Sequence, residues 1–93
     1  MTYFVYILTN AKRTVFYIGV INNLKRRAYE HKNGLIDGFS KKYSLKYIVY
    51  FEEFKNIEEA IAREKQLKNW KRQWKINLIE NKNPTMNDLT INW

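Results

Sequence analysis

Two short runs, "YFVYIL" (3–8) and "TVFYIGV" (14–20), constrain this chain more than anything else in it. Both are dense in β-branched and aromatic residues, which suit a pleated, half-buried surface. The intervening "TNAKR" supplies turn-type and polar residues. Together they predict a β-hairpin with its tip near Ala11-Lys12. That tip sets Tyr6 opposite Tyr17, Phe4 opposite Gly19 and Leu8 opposite Val15. Opposed residues share a sheet face. Two tyrosines then stand side by side, next to a glycine that leaves room above the sheet.

The remaining elements follow in order. "NNLKRRAYEHKNG" (22–34) has helix punctuation at both ends: Asn22 or Asn23 to cap the start, Gly34 to close the end with a positive φ. Leu24, Arg27, Ala28 and His31 fall on one stripe of that helix. Its two apolar members turn the stripe toward the sheet, which carries Arg27 and His31 inward or to the rim. "LIDGFSKKYSL" (35–45) reads as a polar loop and "KYIVYFEEF" (46–54) as a third strand. Asn56 caps a second helix in which Ile57, Ala60, Ile61 and Leu67 mark the apolar face. The slot at 64 on that face holds a glutamate. "KRQWKINLIEN" (71–81) continues helically, and residues 83–93, with the only proline, form an irregular tail. The fold class is α+β, a three-stranded mainly antiparallel sheet flanked by helices in the order β-β-α-β-α-α. Residues 1–82 make the domain.

The chain has 93 residues, enough for one domain with a thin core. Lys and Arg number 17 against 9 Asp and Glu, a net charge of +8. So basic a small domain points to a polyanionic partner, nucleic acid first. Cysteine is absent, which excludes disulfides and thiolate metal sites and makes a reducing cytoplasm the expected compartment. No apolar run approaches the ~18 residues of a membrane span. The apolar start is too short, and lacks the basic lead-in and cleavage site, for a signal peptide. No membrane partner is expected, and nothing in the sequence requires more than a monomer.

Tyr6 and Tyr17 on one sheet face, Arg27 and His31 on one helix stripe, and Glu64 on another are expected to converge on one side of the sheet. A buried carboxylate costs several kcal/mol unless a cation, a hydrogen-bond network or a metal ion compensates it. Arg27 or Lys68 is a candidate structural partner for Glu64. One carboxylate, one arginine, one histidine and two tyrosines in a basic protein suit phosphodiester cleavage. A single Mg²⁺ is commonly held by one carboxylate and waters. An arginine clamps phosphate, and a tyrosine or histidine takes the proton of the attacking water.

"FVYIL", "FYIGV", "NNLKRRAYEH" and "AIAREKQLK", in that order, resemble the GIY-YIG nuclease domain, in particular its small stand-alone bacterial members, over residues 2–80. The first motif reads Phe4-Val5-Tyr6 where the family has Gly-Ile-Tyr; Tyr17-Ile18-Gly19 is intact. The resemblance implies that Tyr6 and Tyr17 are the motif tyrosines, one of them the general base. It makes Arg27 the phosphate-clamping arginine, His31 a proton-transfer residue and Glu64 the metal ligand. It implies one Mg²⁺ (or Mn²⁺) ion and a metal-dependent DNA endonuclease, a hydrolase selecting structure more than sequence, in repair or recombination. RNA is also compatible as a substrate. Asn69, Asn77 and Asn81 are candidates for the functional asparagine of some members. Lys68, Lys71, Arg72 and Lys75, interleaved with Trp70 and Trp74, suit phosphate contact and base stacking. Lys25, Arg26, Lys41 and Lys42 extend the basic surface. Two other readings compete: a nucleic-acid-binding module with little or no cleavage, and a protein-interaction domain with a basic face.

Overall fold

A computed structural model describes residues 1–36 and 38–93. The part of the 35–45 loop reading that falls on Asp37 lies outside them. The elements are β1 (Tyr3–Thr9), β2 (Phe16–Ile21), α1 (Leu24–Lys32), α2 (Phe39–Lys42), β3 (Tyr47–Phe54), α3 (Ile57–Asn69) and α4 (Arg72–Lys82). The strands form one antiparallel sheet in the order β2-β1-β3, with β1 central. This is the α+β architecture expected, with one more helix than expected. Phe39 and Tyr43, whose rings lie 4.7 Å apart, bracket the single turn of α2 inside the stretch read as a polar loop. A second difference is the break between α3 and α4. Trp70 and Lys71 both take extended backbone (ψ 150°), so the two helices do not run on as one.

β1 is covered on both sides. Val5 and Ile7 join Ile18, Val49, Ala60, Leu67 and Ile79 in a core beneath α3 and α4. Tyr6 and Leu8 join Leu24, Ala28, Leu45 and Ile48 in a second core beneath α1. Alternation along a strand sends neighbours to opposite faces, so the hairpin serves two cores at once. Only half of the apolar face expected on α3 is buried: Ala60 and Leu67 are fully enclosed, while Ile57 and Ile61 are exposed.

The hairpin register departs from the expected one. Tyr6 pairs with Gly19, Phe4 with Ile21 and Leu8 with Tyr17. The loop explains the shift. Asn10 accepts from the Arg13 N–H through its carbonyl (3.0 Å), and from the Thr14 and Val15 N–H groups through Oδ1 (2.8 and 3.2 Å). Arg13 adopts φ 57°. These bonds close a longer loop than a tip at Ala11-Lys12 allows, and slide β2 by two residues. A two-residue slide preserves the faces, where a one-residue slide would invert them. Tyr6 and Tyr17 therefore still share a face, as diagonal neighbours.

The helix caps match expectation. Asn23 Oδ1 accepts from Arg26 N (3.0 Å), and Asn56 Oδ1 accepts from Glu58 N (2.7 Å) and Glu59 N (3.3 Å). Gly34 follows α1 with φ 64°. The tail is irregular but held. Asn83 donates to the Val49 carbonyl (2.9 Å), Leu89 N–H to that of Ile48 (2.9 Å), and Lys32 pairs with Asp88 (3.1 Å). Met86 sits in the α3/α4 core, while Trp93 reaches Phe51 on the α1 side. The tail thus clasps the β3 edge.

Candidate active site

The α1 face of the sheet gathers four of the five expected residues. Tyr6, on the central strand, is buried, and its ring lies over Gly19. A Cβ built on Gly19 would stand 2.5 Å from the Tyr6 hydroxyl oxygen and 2.6 Å from Cζ. Glycine at 19 is therefore a requirement of space, the room above the sheet now filled by Tyr6. Tyr17 is half-buried, its ring 6.4 Å from that of Tyr6. His31 descends from α1 to within 6.1 Å of the Tyr6 ring. Phe39 of α2 stacks on Tyr17 at 6.3 Å and 29°. The sequence reading missed this cover. The signal was available in the i, i+4 spacing of Phe39 and Tyr43, which lets one helical turn present both rings together.

The polar atoms here are short of partners. His31 is 4% exposed, and among the described residues neither ring nitrogen has a hydrogen-bond partner; Arg27 Nε is likewise buried and unbonded among them. Arg27 Nε lies 3.4 Å from Glu30 Oε1, an ion-pair distance without hydrogen-bond alignment. Buried polar groups in folded proteins are normally satisfied by protein or by ordered water. Burial, reinforced by the Arg27 charge, pulls His31 down to about 4, so it is a neutral imidazole at neutral pH. Burial pushes the Tyr6 hydroxyl far up. The Arg27 charge opposes that rise, while Tyr17, Glu64 and Glu30 add to it. Tyr6 accordingly holds its proton at neutral pH.

Glu64 arrives differently from what the sequence suggested. It shares a stripe with Ala60 and Leu67, and those two pack in the α3/α4 core, on the other face of the sheet from Tyr6. A helix stripe fixes which side of the helix is buried, but not which sheet face the helix covers. Glu64 is nonetheless half-buried with its side chain 20% exposed, and its charge reaches Tyr6. Its ion-pair partner is Lys68 at 3.4 Å, one of the two candidates; Arg27 pairs with Glu30 instead. Among the described residues, no three His, Cys, Asp or Glu side chains cluster closely enough to hold a metal ion. A cation at Glu64 would draw its other ligands from water and phosphate, the habit of Mg²⁺. Glu64 would be its one carboxylate ligand, and the pair with Lys68 would open to admit it.

The expected basic surface is split. Lys25 and Arg26 are exposed on α1, and Lys41 and Lys42 on α2. Lys68, Lys71, Arg72 and Lys75 belong to α3 and α4 and the link between them, in the other layer. Arg72 is structural: Nη2 donates to the Thr14 carbonyl (2.6 Å) and the guanidinium lies 5.1 Å from the Phe16 ring centre. The tryptophans divide as well. Trp70 packs on the α3/α4 core, while Trp74 is 52% exposed with Lys71 over its ring at 5.8 Å. Asn77 and Asn81 line an open groove beside these tryptophans, away from Tyr6, and Asn69 ends α3.

This fold, taken with its family match, is that of a small domain of nuclease type. Residues 2–77 match the family described as the GIY-YIG catalytic domain, and the chain belongs to that family. Its relatives are small UPF0213 proteins. One from Clostridium perfringens is 38% identical over 79 residues, 85% of this chain and 84% of the relative. Another, from Staphylococcus saprophyticus, is 31% identical over 77 residues, 83% of this chain and 93% of its own. The solution NMR structure of a UPF0213 protein from Bacillus halodurans superposes with a TM-score of 0.60 at 26% identity. That match covers 97% of this chain and 95% of the other. GIY-YIG nucleases generally use a divalent metal, and the family points to a nucleic-acid substrate. Among the described residues, no helix is long and apolar enough to cross a membrane.

Proposed function

We propose that this chain is a divalent-metal-dependent DNA endonuclease of the cytoplasm that selects substrate by structure rather than sequence, in repair or recombination. The observation that carries the reading is the gathering of Tyr6, Tyr17, Arg27 and His31 on one face, with buried, unbonded nitrogens on Arg27 and His31, within reach of the Glu64 charge. In this reading residues 1–82 carry the hydrolase and 83–93 close one side of it.

The scissile phosphate docks against Arg27, whose guanidinium is freed from full pairing with Glu30 and offsets charge built up in the transition state. Glu64 is the protein ligand of a single Mg²⁺ (or Mn²⁺), which when bound supplies Lewis-acid polarisation of the phosphate. The Tyr6 hydroxyl donates a hydrogen bond and orients the attacking water. The water oxygen bonds to phosphorus as the P–O bond to the leaving strand breaks. The water's proton passes to a tyrosine–His31 pair, His31 being neutral and so able to receive it. His31 then returns that proton to the departing oxygen, which leaves as a hydroxyl, and the imidazole is neutral again.

The test compares wild type, Glu64→Ala and Arg27→Ala on supercoiled, single-stranded, flap and junction DNA in Mg²⁺, Mn²⁺ and EDTA. Metal-dependent cutting by wild type alone is expected. Equal cutting by Glu64→Ala would remove the metal role.

One pair of observations favours a second reading, a nucleic-acid-binding module on the same scaffold. Lys68 already neutralises Glu64, and Tyr6 holds its proton firmly. Salt-sensitive binding without cutting in either metal would be its mark.

A further inference from the structure

Beside the tyrosines, on the same side of the sheet, an open cavity of about 500 Å³ lies between the first turn of α1, β1, β3 and the end of the tail. It is of a size that takes small organic ligands. Its walls are aromatic. Phe4 and Phe51 meet edge to face at 6.2 Å, and Phe51 and Trp93 at 6.1 Å. Phe51 is the β3 residue directly opposite Tyr6, and Phe4 is two positions before Tyr6 on β1. The rim is polar: Asn22 and Asn92 contribute amides and Glu53 a carboxylate. Leu24 and Lys25 of α1 line it as well, and Leu24 shares its helix stripe with Arg27, three residues on.

These features match the parts of one nucleotide. Exposed aromatic faces stack on bases, amides and carboxylates read base edges, and a lysine takes a phosphate. Resting on the nuclease reading above, we propose that this cavity receives an unpaired nucleobase of the strand being cut, next to the phosphate held by Arg27. A base can enter only if it has left the stack, so the cavity selects single-stranded, flapped or flipped nucleotides over intact duplex. Glu53 can only accept hydrogen bonds when ionised, so it favours a base with an exocyclic amino group, such as cytosine, over thymine. The Trp74 groove on α4 is the competing base platform, and it lies away from the tyrosines.

The decisive experiment needs no cleavage. ¹⁵N-labelled protein in EDTA is titrated with dCMP, with dTMP and with deoxyribose 5-phosphate, following the indole and side-chain amide resonances. The Trp93 indole and the Asn22 and Asn92 amides should shift saturably with dCMP, with several-fold weaker affinity for dTMP and no saturation with the sugar phosphate. Trp93→Ala, a change at an exposed terminal ring, should weaken dCMP about fivefold or more while leaving the remaining spectrum folded. Shifts confined to Trp70 and Trp74, equal responses to sugar phosphate and dCMP, or undiminished binding by Trp93→Ala would overturn the pocket. Equal affinity for dCMP and dTMP would overturn the role of Glu53. Saturable binding in a protein that cuts no DNA would sink the nuclease reading and keep the pocket. Cutting without these shifts would do the reverse.

Discussion

Two ionisable clusters lie on opposite faces of the same three-stranded sheet and are built by opposite rules. Beneath α3, Glu52 takes the Arg63 guanidinium on both oxygens, Nε and Nη2 each at 2.9 Å, and the Tyr50 hydroxyl donates to it as well. Arg63 Nη1 reaches Gln66 (2.7 Å), and its guanidinium lies 5.2 Å from the Trp70 ring centre. Burial alone would push the Glu52 carboxyl up, but the Arg63 and Tyr50 hydrogen bonds outweigh it and hold it below the usual range. Beneath α1, among the described residues, neither His31 nitrogen has a hydrogen-bond partner, and Arg27 Nε has only the 3.4 Å ion pair with Glu30. The first cluster is complete in itself and so belongs to the fold. The second has three buried nitrogens without a hydrogen-bond partner among the described residues, and it is the cluster that the proposed reaction uses.

The contrast can be broken at four points. The largest effect is expected for Arg27→Ala, which should lower kcat on cleavable DNA by about 10²–10³-fold, as for other lost transition-state donors, with an unchanged urea midpoint. Comparable losses of activity and stability would make Arg27 a fold residue like Arg63.

Acid should expose the penalty stored at His31. Its pKa is about 4 in the folded chain against an ordinary 6.5, so between those values the unfolded chain binds more protons. Stability present above pH 6.5 is therefore lost as pH falls toward 4, by about 3 kcal/mol. Urea midpoints across that range, flattened by His31→Leu, would verify it. Glu52 and Asp88, with lowered pKa values, lose their contributions only below their unfolded values of 4.5 and 3.8. The two limbs are separable.

Gly19→Ala places a methyl group against the Tyr6 ring. Such overpacking costs about 1–3 kcal/mol and should displace the tyrosine, lowering both the melting temperature and any cleavage. The smallest effect is expected on the satisfied face. Arg63→Ala leaves the Glu52 charge short of its main partner and should cost about 1–2 kcal/mol, with cleavage unchanged. The double change Arg63→Met with Glu52→Gln should recover part of that loss, because the uncompensated charge goes with it.

The two faces also differed in how far the sequence revealed them. Tyr6 and Tyr17 could be put on one side from the strand pattern alone, because a register error of two residues leaves the faces intact. Their pairing could not, since it depends on Asn10 folding its side chain back onto Thr14 and Val15. Arg27 and His31 followed from the α1 stripe, anchored by Leu24 and Ala28. Glu64 was recognisable as a misplaced charge, but helical periodicity carries no information on which layer a helix joins. The Glu52–Arg63–Tyr50 cluster escaped notice for a related reason. Each member looks like an ordinary surface residue until β3 and α3 are placed face to face. The tail's hold on the β3 edge depends on long-range bonds from Asn83 and Leu89, and its hold on α1 on a bond from Lys32 to Thr90, none of which a local pattern predicts.

The central claim is that Glu64, entering from the other layer, completes the α1-face site by binding a cation. Mn²⁺ titration of ¹⁵N-labelled wild type and Glu64→Ala tests it most directly, through the paramagnetic broadening of backbone amides. The account predicts that amides at Tyr6, Tyr17, Gly19 and Glu64 broaden first in the wild type, and that the substitution abolishes this ordering. Broadening that begins instead at exposed acids such as Glu58, Glu59 and Glu80, or that persists around Tyr6 in Glu64→Ala, would contradict it.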